Sequence, residues 1–398
     1  MNSNENNSVL RLFETKPCLK VCAPMVRYSK LQFRQLVRLY DCDLAFTPML
    51  LADSFILSSK ARNNEFTTSK NDSPLVVQFA SNNVSDFVGA SVLVSPYCNG
   101  VDLNCGCPQR WAKKLGLGCE LMNNPEIICS MIKECKSAIN NQNFTISVKT
   151  RILYDIRKTV DLCQKLDKAG ASFLTIHGRY PDVSSGPVNT DAIKLICENV
   201  SCPVIANGGV ETLDDYNNLS KLTKCNGVMA ANGLLSNPTL FTGETYDFRA
   251  AQVVVEHWIL LCYYNVLMKS RRYILNNVFD LGKPDNITFQ CFHHHLVFML
   301  GRILNRKQKQ VFNNLKSFSD VLHFIWENNL FRNPPFIIRC CSLIDNDIIE
   351  MPLDYDTNNI YVKASSAASH QSEKLDGESR DVTNGKYFND FTLNELFV

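Results

Sequence analysis

The chain has 398 residues, 45% hydrophobic and 20% charged, a composition typical of a globular protein with room for one large domain and a smaller one. Its net charge of +2 excludes a strong global attraction to nucleic acid, so an RNA-binding surface would have to be a local patch. The polar first residues predict no secretory leader, so we expect the 17 cysteines to be reduced thiols in the cytoplasm, with the nucleus as the alternative.

Apolar runs along the chain are too short to span a bilayer, so we expect no membrane partner. The closest candidate, residues 253–266, is interrupted by Glu256 and His257 and favours a packed helix. Residues 1–18 are predicted to be a disordered lead-in.

Short apolar runs then alternate with helical patterns. Strands are predicted at residues 21–26, 44–49, 75–80, 101–105, 145–151, 173–177, 203–207 and 227–231. Most are continuously apolar, as expected when both faces of a strand are buried. Helices are predicted at residues 29–40, 126–139, 158–169, 192–198 and 213–222. This pattern predicts an α/β fold, a (β/α)8 TIM barrel over residues 19–243, in preference to a doubly wound sheet with fewer strands.

The alternation stops after Gly243. Residues 244–335 are helical by pattern and predict a smaller all-helical domain. The tail, residues 336–398, is rich in Asn, Asp and Ser and is predicted to be mostly disordered, above all at 365–386.

A thiol stands where the fourth predicted strand ends, in Leu103-Asn104-Cys105-Gly106-Cys107-Pro108. The carboxyl ends of barrel strands carry the chemistry, so Cys107 is a candidate acid or nucleophile. A thiol with a pKa near ~8.5 is mostly protonated at neutral pH, which suits an acid. We expect no metal, because zinc pairs more often use C-x₂-C and no second pair matches. Consecutive residues diverge around a helix, so the three histidines at 293–295 are not expected to share one ion.

Glycine-rich loops follow the seventh and eighth predicted strands, where barrels commonly hold a phosphate. They contain Asn207-Gly208-Gly209 and Ala231-Asn232-Gly233, and the alternative is that these glycines only turn the chain. Lys149 and His177 end the fifth and sixth strands and suit an anionic or electron-accepting ring. Gln78, inside an apolar strand, needs a partner, which could be a ring edge, a water or a backbone group.

Residues 286–319 contain no Asp or Glu but carry five cations. They are Arg302, Arg306, Lys307, Lys309 and Lys316. This stretch is the best candidate for contacts with a phosphate backbone, and the alternative is a solvated helix face.

Six segments, taken in order, resemble the tRNA-dihydrouridine synthase family. They are Ala23-Pro24-Met25-Val26, Val77-Gln78-Phe79, Asp102-Leu103-Asn104-Cys105-Gly106-Cys107-Pro108, Val148-Lys149-Thr150-Arg151, His177-Gly178-Arg179 and Ala206-Asn207-Gly208-Gly209. The resemblance is strong over residues 20–243 and weaker over 286–330. Residues 22–30 and 107–112 are similar to the eukaryotic subfamily that acts at tRNA positions 20a and 20b.

The resemblance implies an FMN-dependent barrel that reduces uridine to 5,6-dihydrouridine in the tRNA D-loop, with NAD(P)H as reductant. Hydride would reach C6 of the uracil, and Cys107 would protonate C5. The implied flavin-binding residues are Pro24, Met25, Val26, Gln78, Lys149 and His177, with Asn207, Gly208, Gly209, Ala231 and Asn232 at the phosphate. The implied substrate-binding residues are Asn104 at the uracil, Arg179 at the developing charge, and Arg302, Arg306, Lys307 and Lys309 on the tRNA.

Two departures stand out against the resemblance. Asn232 occupies a position where the family usually has Arg, which removes a bidentate phosphate partner. Residues 261–279 look like an insertion. Two other functions stay open: a flavin barrel acting on a free pyrimidine, like dihydroorotate dehydrogenase, and an RNA-binding homologue that has lost its flavin. We expect a monomer.

Overall fold

The computed structural model of the protein describes residues 8–269, 283–284, 286–331, 348–349 and 351. Residues 1–7, positions 270–279 of the proposed insertion and nearly all of the proposed tail lie outside the described residues, and the predictions made for them stay predictions.

Eight parallel strands form the barrel. They are β1 (Leu19–Cys22), β2 (Leu44–Phe46), β3 (Leu75–Ala80), β4 (Gly100–Cys105), β5 (Thr145–Arg151), β6 (Phe173–His177), β7 (Val204–Asn207) and β8 (Gly227–Ala230). Each pairs with the next, and β1 pairs with both β8 and β2, so the sheet closes. Nearly every strand residue is buried because helices cover the outside and side chains fill the inside. The predicted fold class is confirmed.

The predicted strands 21–26 and 44–49 are wrong at their carboxyl ends, because β1 ends at Cys22 and β2 at Phe46. A proline follows in each case, Pro24 and Pro48, and its missing N–H removes a ladder hydrogen bond. Residues 23–26 therefore leave the sheet and line the mouth of the barrel.

Helices fill the connections. Those of the barrel region are Val9–Thr15, Leu31–Arg38, Ala52–Leu57, Ser59–Glu65, Val84–Val94, Arg110–Lys114, Pro125–Ala138, Ile156–Ala169, Thr190–Cys197, Leu213–Thr223 and Asn232–Ser236, with 3₁₀ turns at Ser95–Tyr97, Gly118–Asn123 and Leu240–Thr242. Helix Leu31–Arg38 begins two residues later than predicted, and the Ser29 hydroxyl accepts from the Met25 N–H at 3.0 Å. Gly170 ends helix Ile156–Ala169 at φ 98°, in the left-handed conformation that favours glycine at a C-cap.

The prediction of disorder over residues 1–18 is wrong for the described part of that segment. Helix Val9–Thr15 packs against the barrel, with Val9 fully buried and the Phe13 ring centroid 5.4 Å from that of Phe173. The apolar residues Val9, Leu12 and Phe13 have helical spacing and cover the amino end of β6.

Short extra strands flank the barrel. Leu50–Leu51 pairs with the end of β3. Thr68–Ser69 pairs antiparallel with Ile348–Ile349, so this piece is ordered within a tail that is predicted to be mostly disordered. Ladder hydrogen bonds to a buried segment explain its order.

The region after Gly243 is helical, as predicted, with helices Phe248–Lys269, Phe289–Met299, Arg306–Asn313 and Phe318–Glu327. It packs on the loop that follows β1. Tyr28 Oη lies 3.1 Å from His294 Nδ1, and the Tyr28 carbonyl lies 3.1 Å from His295 Nε2.

One described helix, Phe248–Leu267, is long and apolar enough to cross a membrane by length and composition alone. The expectation that no run reaches that length is therefore wrong. Of its most apolar 18-residue stretch, 61% is buried inside the protein, and Trp258 and Glu256 are almost fully enclosed.

A buried ion pair fixes helix Leu31–Arg38 to the segment that leads into β3. The Arg34 guanidinium donates to both carboxylate oxygens of Asp72, and both side chains are almost completely buried. Arg34 also donates to the carbonyls of Ser29 and Thr67, each at 2.7 Å, and Thr68 Oγ1 donates to Asp72 at 3.2 Å. Nearly every polar atom of the pair is satisfied, so removing one partner strands a buried charge.

We expect Asp72→Ala to lower the free energy of unfolding by about 3–5 kcal/mol, because Arg34 loses its counter-ion inside the protein. Urea denaturation followed by circular dichroism measures this change. The matched control is Lys194→Ala, which breaks an exposed pair with Glu198 and should cost below ~0.5 kcal/mol. Equal effects of the two substitutions would contradict this account.

Candidate active site

A cavity of about 550 Å³ opens at the carboxyl ends of the strands. Every strand contributes to its wall, either directly or through the loop that follows it. The volume lies in the range typical of small-molecule sites. This is the end of a β/α barrel at which side chains from different strands converge.

The cavity brings together most of the predicted site residues. Its wall includes Pro24, Met25, Val26, Gln78, Asn104, Cys107, Lys149, His177, Arg179, Asn207, Gly208, Gly209, Ala231 and Asn232. The predicted tRNA contacts Arg302, Arg306, Lys307 and Lys309 are not in the wall and lie on the helical region. Wall residues that the sequence reasoning did not select include Met49, Gln109, Arg151, Ser184, Ser185 and Glu211.

A chain of hydrogen bonds runs from the interior of β4 to the thiol loop. Asp102 accepts from Gln78 Nε2 at 2.8 Å, and Gln78 Oε1 accepts from Asn104 Nδ2 at 2.9 Å. Asn104 Oδ1 then accepts the backbone N–H groups of Gly106 at 3.2 Å and Cys107 at 2.9 Å. Asn104 therefore holds the turn that presents the thiol.

Gln78 finds its partners within the protein, since Asp102 and Asn104 satisfy both ends of its amide. Burial raises the pKa of Asp102 to about 6, against hydrogen bonds from Ser147 and Gln78 that favour the carboxylate. Sequence reasoning missed Asp102 as a supporting group. The signal was a carboxylate inside an apolar strand, which has to find hydrogen bonds or become neutral.

The Cys107 thiol is half-buried beside a small apolar cluster of Met49, Ala80, Ala112 and Leu117. Burial raises its pKa above the usual value, which keeps the proton on sulfur at neutral pH. Cys105 is fully buried in the core.

Gly118 packs directly on the thiol residue. A Cβ at Gly118 would lie 2.4 Å from the Cys107 carbonyl oxygen, and its φ of 64° also favours glycine. The Cys119 N–H donates to that same carbonyl at 3.0 Å. The thiol residue is therefore held from both sides.

Three cations face the cavity: Lys149 and Arg151 from β5, and Arg179 from the loop after β6. Within the described ranges, the Lys149 ammonium makes no ion pair or hydrogen bond, and burial lowers its pKa to about 8. Arg151 donates to the carbonyls of Gly106 at 3.1 Å and of Tyr180 and Val183, each at 3.0 Å. Arg151 thus joins the thiol loop to the loop after β6, while Lys149 keeps its charge for a ligand.

Two glycines after β7 place bare backbone in the cavity wall. Gly208 and Gly209 have φ of 118° and 70°, and a Cβ at Gly208 would lie 2.8 Å from the His177 ring. Asn207 Nδ2 donates to the Met229 carbonyl at 2.9 Å and ties β7 to β8. Backbone without side chains here permits an anion to approach closely.

His177 carries a buried ring nitrogen, Nε2, that has no hydrogen-bond partner among the described residues. Burial, with nearby Lys149 and Arg151, holds its pKa well below the usual value, so the ring is neutral. A buried, unpaired polar atom in a cavity wall fits a ligand that carries its own hydrogen-bonding group.

The three consecutive histidines each face a different polar atom of the protein. His293 Nε2 lies 2.9 Å from the Phe312 carbonyl, while His294 and His295 contact Tyr28. Within the residues that the structure describes, no group of three or more His, Cys, Asp or Glu side chains is placed to hold a metal ion.

The predicted basic surface borders the cavity at one point. Arg302 forms an exposed ion pair with Glu211 at 3.3 Å, and Glu211 lines the cavity. Arg306, Lys307 and Lys309 lie in the first turns of helix Arg306–Asn313, where the helix dipole disfavours cations. Their position is therefore not explained by helix stability.

We expect Asp102→Leu to speed amide hydrogen exchange at Gly106 and Cys107 by about five- to tenfold. Leucine has a similar shape but offers Gln78 no acceptor, so the Gln78 and Asn104 amides lose their fixed orientation and the loop N–H groups lose a fixed acceptor. Hydrogen exchange read by mass spectrometry over this loop measures the effect.

The matched control is Ser147→Ala, which removes the other hydrogen bond to Asp102, 2.6 Å long, and leaves Gln78 untouched. Exchange in the thiol loop should then stay at the wild-type rate. Unchanged exchange in Asp102→Leu would show that Asp102 does not hold the loop.

Comparison with known proteins agrees with this geometry. Residues 21–321 match the family model for dihydrouridine synthase. A mouse protein named tRNA-dihydrouridine(20a/20b) synthase NAD(P)+-like is 43% identical over 80% of this chain and 91% of its own length. The fission yeast Schizosaccharomyces pombe tRNA-dihydrouridine(20a/20b) synthase is 37% identical over 82% of this chain and 93% of its own. The chain belongs to the dihydrouridine synthase family, as the resemblance predicted.

Proposed function

We propose that this protein reduces uridine to 5,6-dihydrouridine in tRNA, with a bound flavin and NAD(P)H as reductant. The observation that carries the proposal is a protonated thiol on a braced loop, in one cavity with a glycine-lined anion site. The relatives' names add the substrate, tRNA, the positions 20a and 20b, and the NAD(P)H dependence.

The cavity fits a flavin mononucleotide. The unpaired His177 Nε2 and the unpaired Lys149 ammonium suit the polar atoms of the ring, with Gln78 beside them. Residues 23–26 form one wall, and Asn207, Gly208, Gly209, Ala231 and Asn232 would take the single phosphate. The chain has no G-x-G-x-x-G dinucleotide fingerprint, which favours FMN over a dinucleotide flavin. When bound, a reduced flavin supplies hydride.

Cys107 acts as the acid that protonates C5 of the pyrimidine. Its raised pKa keeps the proton available, and donation leaves a thiolate. Lys149 and Arg151 both favour that thiolate, since their charges oppose the rise in its pKa. Asn104 positions this acid by holding its backbone N–H, and its place in the wall allows a contact with the uracil.

The uridine has to leave its stack to reach a cavity of this depth, which costs less in a loop than in a duplex. Arg306, Lys307 and Lys309 supply contacts with the tRNA backbone beside the mouth. Arg302 orients this basic surface through its pair with Glu211.

We expect Cys107→Ala to abolish dihydrouridine formation while flavin stays bound, because the acid is lost and the flavin wall is not. Mass spectrometry of digested tRNA measures dihydrouridine, and the absorbance of the purified protein measures flavin. Cys105→Ala, two residues earlier and in the core, is the control and should retain most of the turnover.

Undiminished turnover in Cys107→Ala would contradict the assigned acid. Equal turnover of wild-type protein on free uridine and on tRNA would favour an enzyme of free pyrimidines. A purified protein that binds no flavin would contradict the proposed reduction altogether.

We expect Gly208→Ala to weaken FMN binding by about tenfold or more, because the new Cβ meets the His177 ring and the backbone is left-handed. Titration of flavin-free protein, followed by flavin fluorescence, measures the dissociation constant. Gly170→Ala shares the left-handed backbone, at φ 98°, but lies at the far end of the barrel. It should leave FMN affinity unchanged, and equal losses in both variants would contradict a cradle at Gly208.

A further inference from the structure

Two tyrosines stack on each other at the rim of the cavity. The ring centroids of Tyr154 and Tyr180 are 4.2 Å apart, with 15° between their planes. Tyr154 is 65% exposed. It follows β5, and Tyr180 follows β6 directly after Arg179, a residue of the cavity wall. The pair therefore presents an aromatic face to solvent beside the site.

The pair is held in place from both sides. Tyr154 Oη donates to the two carboxylate oxygens of Asp182, at 2.8 and 2.7 Å. The Tyr180 carbonyl accepts from Arg151, which is itself buried and also donates to the Gly106 carbonyl of the thiol loop. An aromatic face with a fixed position loses little entropy when a ligand binds to it.

Tyr154 lies across the mouth from the point where the helical region meets the loop after β1, whereas Tyr180, after β6, is one strand away from the contact at Glu211, after β7. That region contacts Tyr28, after β1, and Glu211, after β7. In a closed barrel of eight strands, β5 is half a turn from β1. An RNA loop that lies on the basic surface and inserts one base into the cavity would continue toward Tyr154.

We propose that the exposed face of Tyr154 stacks with a nucleobase that flanks the reduced uridine, and this inference rests on the proposed function. Unpaired bases stack on aromatic side chains largely irrespective of sequence. Asp182 stands beside the ring, so its charge disfavours a phosphate there and favours the neutral face of a base. The adenine of NAD(P)H is also a planar base that could stack on this ring. The experiment below distinguishes a base of the tRNA from the adenine of the reductant.

The test uses the oxidised holoenzyme and a tRNA transcript labelled for fluorescence anisotropy. Tyr154→Ala should weaken tRNA binding by about ten- to a hundredfold, and Tyr154→Phe should restore most of the affinity, because the ring remains. A second transcript carries abasic nucleotides on both sides of the reduced uridine. It should bind wild-type protein more weakly than the intact transcript does. The two transcripts should bind Tyr154→Ala with equal affinity.

The matched control is Leu222→Ala, an exposed apolar side chain (56%) near the end of helix Leu213–Thr223, at the opposite face of the barrel. It should bind tRNA like wild type. Equal dissociation constants for wild type and Tyr154→Ala would overturn the inference, as would a loss confined to the rate of flavin reduction by NADPH. Dihydrouridine formation by the wild-type protein tests the proposed function separately.

Discussion

The site depends on one buried carboxylate. Asp102 lies inside β4 and only accepts hydrogen bonds when ionised, so it fixes the direction of every bond that follows. Gln78 has to present its N–H₂ group to Asp102 and its oxygen to Asn104, which leaves the Asn104 oxygen for the thiol loop. A single charge thus sets the orientation of two amides and, through them, the place of Cys107.

Closure of the barrel brings the thiol loop to the same cavity as the other parts of the site. The thiol follows β4, whereas the glycine-lined backbone follows β7, about a hundred residues later in the chain. Because parallel strands leave all their carboxyl ends at one face, the two features line the same cavity. Arg151 crosses between the loops after β4 and β6 and keeps their spacing, so the cavity wall resists collapse.

Sequence patterns were sufficient for the number and order of the barrel strands and for the place of Cys107 and most other residues in the cavity wall, because these depend on local periodicity and on position at a strand end. They were insufficient where a side chain acts through a distant partner. Asp102 has its role only because β3 brings Gln78 beside it, and the Tyr154–Tyr180 stack joins loops from two strands. Helix Val9–Thr15 was missed because its short apolar stripe is stable only against the barrel.

The loop after β1 belongs to both halves of the molecule. Its residues 23–26 line the cavity, and the next two residues meet the helical region. Cys291 Sγ donates to the Arg27 carbonyl at 3.1 Å. Arg27 has a φ of 69°, a backbone conformation that residues other than glycine rarely adopt. The helical region therefore contributes to holding the cavity wall in shape. RNA that binds to this region contacts the same packed unit that shapes the reaction site.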